Sequence, residues 1–312
     1  MIYFKSLGSV LGETEVSTHE LLNTATGLKK ETLTRTGFAR IFQSAAESSF
    51  EMCIRLLQPF AHSISDVDLI ISVSSLQTSN PGIGTLIHKE FKMSSYCDVL
   101  EIQEACTGFV TALNLSVDFI EIGKYKKILI LLSDQYTKYF SPELTSLSLL
   151  FSDGASAQLV IGESKVDDLK SGFLPLERML GFSKIDSSGE KQLNINVSRD
   201  NVLTMKGGGV FQFVLANLKE ALAQMRVLNL PSEEVNWYIH QGSAAVVESV
   251  ELELNLAVGS LFRAKQYGNL VGSSIPAQFS ATPIAENSYC AFLAFGMGLR
   301  MQLSIFKTGK YL

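Results

Sequence analysis

Short apolar runs alternate along the chain with longer segments whose apolar positions recur at helical spacing, the pattern of an α/β protein with strands covered on both faces. Asp68–Val73, Asp98–Ile102 and Lys127–Leu132 read as strands. Between the last two, Gly108–Ile122 reads as a helix with Phe109, Ala112, Leu113, Leu115, Val117, Phe119 and Ile120 on several faces, so burial is expected on all sides. Past residue 160 the text turns polar, over Gly162–Ser171 and Ser183–Gln192. The rhythm then repeats, with a helix at Val210–Gln224, a strand at Trp237–Ile239, a helix at Ser243–Leu254 and paired strands near the end. A serine, acidic residues and an apolar strand follow one another at Ser65–Val73 and again at Ser232–His240. Break and echo together divide the chain into two halves, 1–165 and 166–312.

With 312 residues and 46% hydrophobic content the chain can bury a large core. A net charge of −5 and a pI near 5.5 give none of the basic footprint that a phosphate backbone demands, so nucleic acid is not an expected partner. The four cysteines, Cys53, Cys97, Cys106 and Cys290, form no CxxC and no paired Cys/His spacing, which suits a reducing compartment without a disulfide framework or a metal site. Met1–Glu15 lacks a cationic start and a continuous apolar stretch, and runs such as Ile128–Leu132 fall far short of the roughly 20 residues that span a bilayer. A soluble cytoplasmic protein with no membrane contact is expected.

Three residues could carry chemistry. Cys106 stands where the strand ending at Ile102 turns into the helix beginning at Gly108, and backbone N–H groups at a helix start favour thiolate over thiol. It is expected to be exposed at the strand end; taken alone, it equally suits a small core position. His240 closes an apolar strand, where an imidazole can exchange protons or donate to a carbonyl; a half-buried structural histidine is the plain alternative. Asn269 lies in a glycine-punctuated loop and offers a donor that does not titrate, or a mere turn former. Lys206–Gly209 lacks the GK[ST] ending of a phosphate loop and reads as a flexible approach to the next helix.

Cysteine, histidine and asparagine in this order resemble the triad of the ketoacyl-acyl-carrier-protein synthase III enzymes. Neighbouring words agree in order and spacing: Thr34-Arg35-Thr36-Gly37, Ala105-Cys106-Thr107-Gly108-Phe109, Phe151-Ser152-Asp153-Gly154-Ala155, His240-Gln241, Gly268-Asn269 with Ser274-Ile275-Pro276, and Ala294-Phe295-Gly296-Met297-Gly298. The resemblance implies the thiolase-like fold, two pseudo-duplicated halves in a layered αβαβα arrangement. It implies an acyltransferase in which Cys106 takes an acyl group from a coenzyme A or carrier-protein thioester. Backbone N–H groups of Cys106 and Met297 would then form the oxyanion hole, and His240 and Asn269 would hold a malonyl-type donor for decarboxylative Claisen condensation. Arg35 is carried over as a contact for the coenzyme moiety, and no metal or redox cofactor is implied. Relatives are dimers, so a homodimer or a heterodimer with a related chain is expected.

This chain departs from the family pattern in having Lys29–Leu33 where a tryptophan usually precedes the TRTG word, and in Glu248, Glu251 and Glu253 on the helix after His-Gln, where basic residues usually meet an acidic carrier protein. A specialised fatty-acid or polyketide-like pathway is the resulting expectation. Transfer from Cys106 to an amine or alcohol, and a non-catalytic partner subunit of a heteromeric synthase, remain as alternatives.

Overall fold

The computed structural model describes residues 1–24, 30–75, 80–140, 146–164, 171–188, 193–196, 202–205, 207–296 and 298–312. The strands are β1 (Ile2–Leu11), β2 (Thr14–Ser17), β3 (Arg40–Gln43), β4 (Leu69–Val73), β5 (Asp98–Ile102), β6 (Lys127–Asp134), β7 (Gly154–Gly162), β8 (Leu174–Ile185), β9 (Leu193–Asn196), β10 (Val202–Met205), β11 (Val235–Ile239), β12 (Tyr289–Gly296) and β13 (Arg300–Thr308). The helices are α1 (Thr18–Thr24), α2 (Lys30–Thr36), α3 (Ser49–Leu57), α4 (Ala61–Ile64), α5 (Ile83–Glu90), α6 (Gly108–Glu121), α7 (Gly207–Met225) and α8 (Ala244–Glu253). Among the described residues, no helix is long and apolar enough to cross a membrane.

Nine strands share one sheet in the order β11-β12-β13-β8-β1-β7-β6-β4-β5. The join at its middle is narrow: β8 meets β1 only at Leu174, Pro175 and Leu176, opposite Phe4, Tyr3 and Ile2. On either side of that join the pairing repeats. In the first half β1 runs antiparallel to β7, β7 antiparallel to β6, and β6 parallel to β4. In the second, β8 runs antiparallel to β13, β13 antiparallel to β12, and β12 parallel to β11. The echo at Ser65–Val73 and Ser232–His240 thus falls on β4 and β11, which hold the same place in the two sequences of pairings. Residues 165–170, where the polar break suggests the division of the chain, lie outside the described residues.

Alternation along single strands shows how the layers stack. In β6, Ile128, Ile130 and Leu132 face the cluster around α6, while Leu129 and Leu131 face α3 and α5. In β12, Cys290, Phe292 and Ala294 face the same α6 cluster, while Ala291, Leu293 and Phe295 face α7 and α8. Helix α6 is therefore sandwiched between the two halves of the sheet, with α3 and α5 outside one and α7 and α8 outside the other, an αβαβα stack. Strands covered on both faces need not alternate, and all five residues of β4 (LIISV), Ser72 included, are buried. Phe109 anchors the centre, its ring 5.4 Å from Phe292, 5.8 Å from Phe279 and 6.5 Å from Phe4.

Three expectations change. Strand β1 has no counterpart in the sequence reading, because Gly8 at φ +110° and a register shift between Ser6 and Gly8 interrupt the alternation that would announce it. Helix α6 is not apolar all round: Thr111, Asn114 and Asp118 form a polar stripe, satisfied by groups on β8 and β13. Gly207–Gly209 form the first turn of α7 rather than a flexible approach. The N–H groups of a first turn have no intrahelical partner, so glycine is tolerated there better than in a helix interior. Lys206 itself lies outside the described residues.

Candidate active site

Cys106 occupies the turn between β5 and α6, two residues before the first residue of the helix. Gly108 opens that helix because a Cβ there would lie 2.4 Å from Val73 Cγ1, so α6 can start this close to β4 only without a side chain. The Gly108 N–H donates to the Ala105 carbonyl at 2.9 Å and closes the turn. The thiol is not exposed at the strand end as the sequence suggested: Cys106 is 4% exposed, in a cluster with Phe38, Tyr136, Leu147, Phe151 and Val271. These residues come from four separate stretches of chain, which no local pattern announces.

The end of β12 lies against the same thiol. A Cβ at Gly296 would lie 2.7 Å from Cys106 Cβ and 2.9 Å from Sγ, so only glycine lets the strand end come so near. Met297, named from the sequence as the second oxyanion donor, lies outside the described residues. Phe295, one residue before Gly296, meets the His240 ring edge-on, with centroids 5.4 Å apart and planes at 83°.

His240 follows β11 directly, its N–H donating to the Leu293 carbonyl at 2.9 Å. Its imidazole is buried and Nδ1 has no hydrogen-bond partner among the described residues. Burial without a compensating charge pushes its pKa down to about 3, so the ring is neutral at physiological pH. A neutral ring keeps one N–H to donate and one nitrogen to accept, as a carbonyl-binding group requires. Gln241 fixes the backbone on its other side: its N–H donates to Ser274 Oγ at 2.9 Å, and its Oε1 accepts from the N–H groups of Arg263 and Ala264.

Asn269 is held at both ends by the residues on either side of Phe151. Its N–H donates to the Leu150 carbonyl at 3.0 Å and its carbonyl accepts from the Ser152 N–H at 2.9 Å. Gly268 before it sits at φ +73°, and a Cβ there would strike Ser152 Oγ at 2.4 Å. Asn269 Oδ1 accepts from the Val271 N–H at 2.9 Å, which fixes the amide and leaves Nδ2 as its donor. Val271 itself adopts φ +53°, an uncommon state for a β-branched residue and one held by the packing around it.

The three candidates are thereby linked through few intermediates. Cys106 touches Gly296, Phe295 touches His240, and Val271 joins the cluster of Cys106 while binding the Asn269 side chain. Arg35 is exposed on α2. Among the described residues, no group of three or more His, Cys, Asp or Glu is arranged to hold a metal ion.

Sequence reasoning missed Asp134, the last residue of β6. It accepts from the Ser75 N–H at 2.9 Å and the Gly272 N–H at 3.1 Å, as well as from the Ser75 hydroxyl. It thus ties the loop bearing Asn269 to the first half of the chain, where Gly272 also approaches the Ala105 carbonyl. Burial raises its pKa to about 6 against the pull of those donors. An acid soon after the apolar run Ile128–Leu132 was the available signal. A correction falls on α8 as well: Glu251 is completely buried, accepting from the N–H groups of Gly259 and Leu261, so only Glu248 and Glu253 face outward.

Residues 100–175, which include Cys106 and the FSDGA stretch, match the family model described as 3-oxoacyl-[acyl-carrier-protein (ACP)] synthase III. The beta-ketoacyl-[acyl-carrier-protein] synthase III of Prochlorococcus marinus subsp. pastoris is 24% identical over 99% of this chain and 97% of its own. The 3-oxoacyl-[acyl-carrier-protein] synthase III of Aquifex aeolicus superimposes with a TM-score of 0.84 at 22% identity, covering 97% of this chain and 99% of that one. A priming beta-ketosynthase of a polyketide biosynthetic pathway gives a TM-score of 0.82 at 20% identity, over 98% of this chain and 96% of the other. Likeness along nearly the whole sequence, the family match across residues 100–175 and the shared architecture make this chain similar to the ketoacyl-acyl-carrier-protein synthase III enzymes, with a thiolase-like fold.

Proposed function

We propose that the protein is a priming ketosynthase in which Cys106 carries the acyl group. The thiolate attacks the carbonyl carbon of an acyl thioester, the donor thiol leaves, and the acyl chain remains on Sγ. Backbone N–H groups of Cys106 and Met297 hold the oxyanion of that step. Neutral His240 and the Asn269 amide hold the thioester carbonyl of a malonyl-type donor. Loss of carbon dioxide leaves its electron pair as an enolate, whose carbon attacks the acyl group, and Cys106 departs as thiolate. The single observation that carries this reading is the meeting of Cys106 Sγ, at the start of the central helix, with Gly296 at the end of β12, one residue from the aromatic neighbour of His240.

The halves 1–165 and 166–312 would then be duplicated units, one supplying the nucleophile and the other the donor-binding pair. The edge strand β5 is the surface through which two chains would join their sheets as a dimer. Glu248 and Glu253 on the outer face of α8 disfavour an acidic carrier protein at that face, which supports a specialised fatty-acid or polyketide-like pathway.

The test is incubation with a panel of acyl-coenzyme A and acyl-carrier-protein thioesters, peptide mapping of the mass gain, and measurement of carbon dioxide released from malonyl thioester. Label on Cys106, lost in Cys106→Ala, together with release of carbon dioxide is expected. Label elsewhere removes the nucleophile assignment. Label on Cys106 with product formed on an amine or alcohol and no carbon dioxide removes the condensation step.

A further inference from the structure

The polar stripe of α6 begins two residues before Cys106. Glu104, Thr107, Thr111, Asn114 and Asp118 follow at helical spacing, and Arg300, Gln302 and Ser304 alternate along the facing strand β13. Asn114 binds Ser304 at 2.8 Å, Thr111 binds Gln302 at 3.0 Å, and the Glu104 carboxylate accepts from Thr111 at 2.6 Å and Thr107 at 3.2 Å. At the top of the seam Glu104 forms an ion pair with Arg300, with the carboxylate side chain 13% and the guanidinium side chain 32% exposed.

We propose that Glu104 and Arg300 are positioning residues: their ion pair clamps the nucleophile turn to the β12–β13 turn, and so fixes the spacing of the two walls of the acylation site. This rests on the assignment of Cys106 as nucleophile made above. Glu104 lies two residues before Cys106 and Arg300 four residues after Gly296, so the pair closes a ring around the contact between thiol and glycine. That contact is otherwise apolar and without direction, whereas a charge-assisted hydrogen bond fixes both distance and angle. Displacement of catalytic groups by an ångström is enough to slow a reaction about 100-fold. The pair also balances charge. Glu104 alone would oppose the thiolate, Arg300 alone would favour it, and together they leave the start of α6 to set the balance.

Single-turnover acylation by acetyl-coenzyme A and alkylation by iodoacetamide across pH, in the full chain, separate these effects. Glu104→Gln and Arg300→Met are both expected to slow acylation about tenfold or more, because both open the clamp. The alkylation midpoints should move in opposite directions, down in Glu104→Gln and up in Arg300→Met, because each leaves a different charge beside the thiol. The reversed pair, Glu104→Arg with Arg300→Glu, should acylate faster than either single variant. If Arg300→Met does not fold, Arg300→Lys replaces it in the acylation arm: it loses the guanidinium geometry and keeps the charge, so acylation should slow with the alkylation midpoint unmoved. Acylation within about twofold of the parent in both single variants would overturn the clamp, as would acylation that rises and falls with alkylation. Absence of any label on Cys106 in the unsubstituted protein would instead overturn the nucleophile assignment, and the clamp with it.

Discussion

Cys106 and Gly296 are in contact across 190 positions of sequence, and the absence of a side chain at 296 is what permits it: an added methyl carbon would lie 2.9 Å from Sγ. Residues before 165 supply the sulfur, and residues after 171 supply the glycine that adjoins it. The site exists only where the halves meet, and several consequences of that can be measured.

Gly296→Ala forces a carbon into space occupied by Cys106, and neither neighbour is a flexible side-chain tip that could swing away. Overpacking of this kind costs about 1–3 kcal/mol. Thermal unfolding should show that loss, and mass spectrometry should show acylation of Cys106 falling further than stability alone explains. Unchanged acylation would mean that the sulfur reacts from a different position.

Gly268→Ala should disturb Asn269 through the backbone. A positive φ disfavours alanine by about 1–2 kcal/mol, and Ser152 Oγ blocks the new carbon. Measured against Ser152→Ala alone, which removes the acceptor of the Phe42 N–H, adding Gly268→Ala should cost only the part due to φ. Denaturant unfolding of the single and double variants gives both quantities; an equal cost of Gly268→Ala with and without Ser152→Ala would remove the Ser152 contact as a cause.

Glu251 and Glu248 should behave as opposites despite lying three residues apart on α8. Removing the Glu251 carboxylate leaves the buried N–H groups of Gly259 and Leu261 unpaired, so Glu251→Ala should cost about 3 kcal/mol. Glu248→Lys, on the exposed side, should leave stability almost unchanged but tighten binding of an acidic carrier protein at low salt. Binding that ignores position 248 would move the docking surface away from α8.

Two buried groups give opposing pH dependences. His240 ionises near pH 3 when folded and at 6.5 otherwise, so between those values the unfolded chain binds the extra proton and stability falls as pH falls. The slope approaches about 1.4 kcal/mol per pH unit. Asp134 ionises near pH 6 when folded and at 3.8 otherwise, so between those values the folded chain holds the extra proton and its contribution rises as pH falls. The two partly cancel between about pH 4 and 6. Asp134→Asn should therefore steepen acid destabilisation, and His240→Asn should flatten or reverse it, in urea unfolding across that window. A parent slope that neither substitution alters would place the acid sensitivity elsewhere.

How much could be read in advance follows from the range of each interaction. Strand β5 is found at the predicted residues, and α6, β6, β11 and α8 within two or three, because their periodicity is local and strong. Strand β1 was invisible because a glycine and a register shift break its alternation. The polar face of α6 was passed over because Thr111, Asn114 and Asp118 appear isolated until β13 supplies their partners.

The sequence by itself determined the alternation of strand and helix around Cys106 and His240, the turn that carries Cys106 and the words that mark His240 and Asn269, since all of these depend on residues a few positions apart. Only the tertiary structure decided that Cys106 is buried rather than exposed, that Glu251 turns inward, that Asp134 and Arg300 reach across to the other half, and that Gly296 touches the sulfur. Each of these depends on burial and on contacts between residues far apart in the chain, and a contact of that kind leaves no periodic trace in either segment that makes it.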